Sequence, residues 1–266
     1  MLVRTPVLSL GLALLLAACA APGTAPAVSP SAELRTASDQ TDADRRASVR
    51  MELAALHFGR GQYVTALDEI KLALQSRPDL GAAFSLRGLV YASMGEDALA
   101  DESFNRALQI NPRDADVMHN RGWFLCQRNK FAEADRWFEQ ALAMPQYRDA
   151  QRSLMAQGVC HARAGKLDEA ERKLSRAYEL DAGDPTTALN LAEVLYRRGE
   201  YERARFTIRR VNQREELSNA QTLWLALRIE NRMGNRSSVD DFGRQLRNRF
   251  PQAAETLAYE RGRFDE

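Results

Sequence analysis

Between residues 47 and 253 the chain repeats itself with a period of 34 residues. A period of that length restricts the fold more than any composition does. In the frame opened by Gly81, the residues Gly88, Tyr91, Gly95, Ala100, Phe104, Ala107 and Pro112 hold positions 8, 11, 15, 20, 24, 27 and 32. One period earlier these are Ala54, His57, Gly61, Ala66, Ile70, Ala73 and Pro78. One period later they are Gly122, Leu125, Asn129, Ala134, Phe138 and Ala141, with Pro145 one residue early. After a two-residue insertion a fourth frame opens at Gln151, with Gly158, His161, Gly165, Ala170, Leu174 and Ala177. The fifth, from Pro185, carries Ala192, Leu195, Gly199, Ala204, Ile208 and Val211. A sixth, from Ala220, is degenerate: Leu227, Gly234, Val239, Gly243, Leu246 and Pro251.

Small residues at positions 8, 20 and 27 let two antiparallel helices and their neighbour approach closely, and bulky residues at 11 and 24 fill the space left. Glycine at 15 ends the first helix in a left-handed turn; proline at 32 stops the second. This pattern resembles the tetratricopeptide repeat. It implies an all-α superhelix of about six helix pairs, near 47–80, 81–114, 115–148, 151–184, 185–218 and 220–253, within a repeat domain of residues 47–266. No segment alternates like a strand. The tail from Gln252 to Glu266, with Leu257, Tyr259 and Phe264, reads as a capping helix.

The N-terminus is of another kind. After Arg4, residues 7–18 form a leucine- and alanine-rich apolar run. It is too short to span a bilayer core of ~30 Å as a helix, and has the length of a signal-peptide core. Leu16-Ala17-Ala18-Cys19 resembles the lipobox of bacterial lipoproteins, which implies cleavage after residue 18 and diacylglycerol on Cys19. Ala20 in place of aspartate favours, by the same resemblance, the outer membrane. Residues 19–46 then form the lipidated N-terminus and a flexible tether, rich in Ala, Pro, Ser and Thr and without an apolar stripe.

Little in the chain suggests chemistry. His57 and His161 occupy position 11, a packing slot, and His119 occupies position 5 on the concave side without a Cys or carboxylate at ligand spacing. There is no phosphate loop, no His-Glu-x-x-His and no serine elbow. The pairs Asp101-Glu102 and Asp240-Asp241 read as solvated faces. The expectation is a protein with no enzymatic activity, no cofactor, no metal and no small-molecule substrate. A formal net charge of +1 offers no electrostatic reason for nucleic acid.

Three cysteines cannot all pair, but lipid on Cys19 leaves two. Cys126 is position 12 of one first helix and Cys160 position 10 of the next. Parallel neighbouring helices ~8–10 Å apart bring facing Cα atoms to about 5–6 Å, within bridging distance. An exported protein meets oxidising conditions, so a Cys126–Cys160 disulfide is expected, with two buried thiols as the alternative.

Arrays of this kind bind partners through positions 2, 5, 9, 12 and 13 of the first helices. Met51, Ala55 and Phe58 of repeat one, Leu89 and Ala92 of repeat two, and His119 and Trp123 of repeat three occupy such positions. Tyr196 and Trp224 follow, amid Arg163, Arg197, Arg228 and Arg232. The groove reads apolar at its N-terminal end and basic toward its C-terminal end. Met51, Ala55, Phe58, Leu89 and Trp123 are the candidate partner contacts, since exposed apolar strips mark interfaces.

Lipobox, tether and about six repeats together resemble the type IV pilus biogenesis and stability lipoproteins, the secretin pilotins. Asn120-Arg121-Gly122-Trp123-Phe124-Leu125-Cys126 is similar to that family's third-repeat run of Asn-aromatic-Gly-x-Phe-Leu-Cys, with Arg121 in the aromatic place. Ala188–Ala192 with Leu195-Tyr196, Leu223–Arg228 and the ending Phe250-Pro251 are similar too. Arg87, Arg121 and Gln157 stand at the usually apolar position 7. The resemblance implies an outer-membrane lipoprotein, lipid-anchored on the periplasmic face, that helps the pilus secretin reach and multimerise in that membrane. The alternative is another periplasmic lipoprotein scaffold, an adaptor for cell-wall hydrolases or outer-membrane protein assembly.

Overall fold

The computed structural model describes residues 41–145 and 147–264. Among them lie thirteen helices and no strand. Six antiparallel pairs follow one another: α1 (Asp42–Gly59) with α2 (Tyr63–Ser76), α3 (Gly81–Met94) with α4 (Asp97–Ile110), and α5 (Ala115–Gln127) with α6 (Phe131–Leu142). Then come α7 (Ala150–Arg163) with α8 (Leu167–Leu180), α9 (Pro185–Arg197) with α10 (Tyr201–Asn212), and α11 (Ala220–Arg232) with α12 (Arg236–Arg249), before α13 (Ala254–Glu260).

The turn inside each pair needs a left-handed residue at position 15. Gly61, Gly95, Gly165, Gly199 and Gly234 supply it at φ of 72–84°, and Asn129 does so at φ 59°. Asparagine is the side chain that best tolerates this region. Asp114 and Asp184 cap α5 and α9 by accepting from backbone N–H groups two and three residues on, and Pro185 sits where α9 has no N–H to lose.

Position 8 is small because position 24 of the same repeat fills its space. A Cβ on Gly88 would lie 2.8 Å from the Phe104 ring, one on Gly122 3.0 Å from Phe138, and one on Gly158 2.6 Å from Leu174 Cγ. Ala66, Ala100, Ala134, Ala170 and Ala204, at position 20, are fully buried. Repeat six reverses the rule. Leu227 fills position 8, Gly243 stands at position 24, and the ring of Tyr259 from α13 enters the vacated slot, 2.1 Å from where a Gly243 Cβ would be. That reversal is what made the sixth frame look degenerate.

The backbones of first helices approach one another in succession, α1 to α3 to α5 to α7 to α9 to α11, while among the described residues the second helices meet only through long side chains, such as Lys173 to Glu139 and Arg203 to Glu171. The first helices therefore form the inner layer of the curve. α1 opens at Asp42, inside the stretch 19–46 that the sequence assigns to a tether. Thr41 and Asp44 form a capping box, Arg77 ion-pairs with Asp44, and Ala47 is buried, so these residues are held by the first repeat.

Candidate partner-binding face

The inner layer is where sequence placed the partner contacts. Met51 and Phe58 of α1 are half-buried against the core around Ala54 and Ile70, and Phe58 leans on Tyr63 at 6.1 Å. Leu89 of α3 and Trp123 of α5 are half-buried against a second core containing Phe104, Phe124 and Cys126. Ala55 is exposed. Met51, Phe58, Leu89 and Trp123 thus edge two successive cores, each presenting part of a side chain, with Ala55 beside them on the surface. Ala92, Tyr196 and Trp224, also on this layer, are buried. Sequence reasoning missed the exposed apolar residues of repeat one, Val49, Leu56 and Val64. Exposure depends on neighbours, and among the described residues none covers these side chains of α1 and α2.

His119 departs from its expected place. Rather than lining the concave surface it is 4% exposed, with Nδ1 2.8 Å from Ser153 Oγ and its ring edge against Phe138. Tyr147, in the insertion between repeats three and four, shares the same serine, Oη to Oγ 2.9 Å. Burial, with Arg152 nearby, pushes the His119 pKa down to about 3, so the ring is neutral. A serine beside a histidine has the composition of a nucleophile and base, but Ser153 is fully buried. A substrate could not reach it. Among the described residues no group of His, Cys, Asp and Glu could hold a metal ion.

The polar residues at position 7 turn to second helices. Arg87 donates to Ser103 at 3.1 Å and lies over the Phe84 ring. Arg121 reaches Asp101 at 2.7 Å and Asn105 at 2.6 Å and covers Trp137. Asp101 is therefore paired rather than merely solvated. Gln157 donates to Asp135 and Glu139, both at 2.7 Å. Cys126 of α5 and Cys160 of α7 are buried, with Cα atoms 5.8 Å apart, and are joined as a disulfide between repeats three and four.

At the far end, the chain lies on its own inner face. Phe264 stacks on Trp224, ring centroids 6.0 Å apart at 21°. Arg228 lies over the Tyr196 ring, approaches Glu193 at 3.5 Å, and donates from Nε to the Phe264 carbonyl at 3.3 Å. Cys19 and the signal segment fall outside the described residues. Among the described residues no helix is long and apolar enough to cross a membrane.

Known proteins share this architecture. Residues 82–114, 119–185 and 161–224 each match a tetratricopeptide-repeat family profile. The crystal structure of PilW, a widely conserved type IV pilus biogenesis factor, superposes with a TM-score of 0.72 at 30% identity, over 80% of this chain and 97% of PilW. The chain belongs to the tetratricopeptide-repeat proteins related to PilF and PilW. The type IV pilus assembly protein PilF of Pseudomonas aeruginosa is 27% identical over 212 residues, covering 80% of this chain and 84% of PilF. A solved Pseudomonas aeruginosa PilF shares the fold, with a TM-score of 0.68 at 24% identity. This tetratricopeptide-repeat array thus matches those relatives through nearly their whole length, consistent with an adaptor surface built across many repeats.

Proposed function

We propose that this chain is a non-catalytic outer-membrane lipoprotein adaptor, a pilotin, that assists outer-membrane targeting and multimerisation of the type IV pilus secretin. The observation that carries the reading is the match to PilW, which extends over 80% of this chain and 97% of that pilus biogenesis factor. In this reading Cys19 carries the lipid and residues 20–40 supply reach, while the inner face selects the partner through Met51, Ala55, Phe58, Leu89 and Trp123. Two or more acyl chains make such anchoring stable, at ~0.8 kcal/mol per buried methylene. The periplasmic location accounts for a disulfide between Cys126 and Cys160.

Deletion followed by membrane fractionation tests the proposal. Without the chain, secretin should stay monomeric or remain in the inner membrane. Heat-resistant secretin multimers persisting in the outer membrane would overturn it. Cys19→Ala should release the repeat domain from membranes, and substitution of Phe58 and Trp123 should separate partner from adaptor while leaving the anchor intact.

A further inference from the structure

Three arginines hold the same place one repeat apart. Arg163, Arg197 and Arg232 are the last residues of α7, α9 and α11, and Arg128 caps α5 one residue further on. Each reaches back one repeat along the C-terminal rim of the inner layer. Arg128 Nη2 donates to the Ala92 carbonyl at 2.7 Å, Arg163 Nη2 to Asn129 Oδ1 at 3.4 Å, Arg197 Nη1 to the Ala162 carbonyl at 3.1 Å, and Arg232 Nε to Tyr196 Oη at 3.3 Å. These bonds hold the guanidiniums in a row, where helix C-termini favour positive charge.

The middle of the row is not neutralised. Arg128 pairs with Asp97 at 2.6 Å, but among the described residues no carboxylate lies within ion-pair distance of Arg163 or Arg197. Acids close by in sequence are committed elsewhere. Asp168, Glu171 and Glu200 pair with Arg198, and Glu171 and Glu200 also with Arg203. Arg163 and Arg197 are exposed. One repeat further on, the chain's own tail, folded in turns after α13, lies on this layer: Phe264 rests on Trp224, with its carbonyl on Arg228. Neighbouring helices stand ~8–10 Å apart, which is about three residues of an extended strand at ~3.3 Å each.

We propose that the row centred on Arg163 and Arg197 docks an extended acidic segment of a partner protein, with carboxylates about three residues apart. Its charges lie along the edge of a curved inner layer, which suits a thin strand better than a flat bilayer. The inference does not rest on the partner being a secretin.

The test uses the full chain in mild detergent with fluorescein-labelled decapeptides. One peptide carries aspartate at every third residue, one carries the same aspartates clustered, and one carries asparagine instead. The spaced acidic peptide should bind, and more weakly as salt rises. The asparagine peptide should bind at least about tenfold more weakly, and the clustered one should fall between them. Arg163→Ala/Arg197→Ala should lose about tenfold, with Arg163→Gln/Arg197→Gln as the variant that keeps a donor for Asn129 and Ala162 should the alanine pair fail to fold. Arg172→Ala/Arg176→Ala on α8 should bind as the parent does. Equal binding of the asparagine peptide, undiminished binding by a folded double variant, failure to bind any peptide, or binding to anionic vesicles in place of peptide would each overturn the proposal.

Discussion

His119 shows how a single residue couples this fold to pH. Buried with its pKa near 3, it stays neutral in the folded chain, whereas an unfolded histidine takes up a proton near pH 6.5. The unfolded state therefore binds more protons between the two values, and stability falls as pH drops through that window. Each unit within it costs about 1.4 kcal/mol. Urea titrations at pH 7 and pH 5.5 should show a loss that His119→Gln, still able to bond Ser153, reduces, the remainder coming from His161, whose pKa burial also lowers. An unchanged pH slope in that variant would place the sensitivity elsewhere. The position 7 residues are a second lesson at this scale. Glu139 is held below the usual carboxylate range by the hydrogen bond from Lys173 and then by Gln157, so a polar residue in a nominally apolar slot is accommodated by carboxylates on the preceding second helix. Sequence placed Gln157 at its position but could not show Asp135 and Glu139 within reach, because they lie 22 and 18 residues away.

At the scale of helices, the periodicity located the pairs because positions 8, 15, 20 and 24 each answer to a local packing or backbone demand that recurs every period. It failed where an element breaks the repeat. Tyr259 of α13 entering the Gly243 slot is invisible to a repeat frame, since the two residues come from units with no shared period. The start of α1 was also missed, because Thr41 and Asp44 cap a helix within a stretch whose composition resembles a linker. Tyr259→Ala should cost about 2–4 kcal/mol by emptying the slot, and Gly243→Ala about 1–3 kcal/mol by overfilling it. The double variant should lose less than the sum, since the alanine methyl occupies part of the space the ring leaves. Strict additivity in denaturant unfolding would argue against the reversal as the reason for the pair.

Across the whole molecule, stability in a stacked array is close to a sum over neighbours, so its weak points are the interfaces between units. The disulfide joins residues 34 apart across the interface of repeats three and four. Closing a loop of that size is worth about 3–4 kcal/mol in the chain-entropy treatment. Reduction, or Cys126→Ser/Cys160→Ser, should therefore lower the unfolding midpoint, and gels of the unreduced protein should show a mobility change on adding reductant. Identical mobility with both thiols alkylated would leave the interface held by packing alone. Sequence could place these two cysteines because their positions within the repeat are nearly equal. It could not judge the exposure of Phe58, Trp123 or Trp224, which depends on curvature and on the tail.

The reversed slot in repeat six also sets a length. α13 packs against both helices of the sixth repeat, and its Tyr259 ring fills the Gly243 slot. The series is thereby punctuated: α13 covers the side of α11 and α12 that corresponds to the one α11 uses on α9 and α10. A duplicated internal repeat, by contrast, would meet a compatible surface on both sides. It would lengthen the inner face by ~8–10 Å and leave the first repeat and the capped end unchanged. The chain is in that sense a ruler with a fixed stop, whose span is counted in whole repeats.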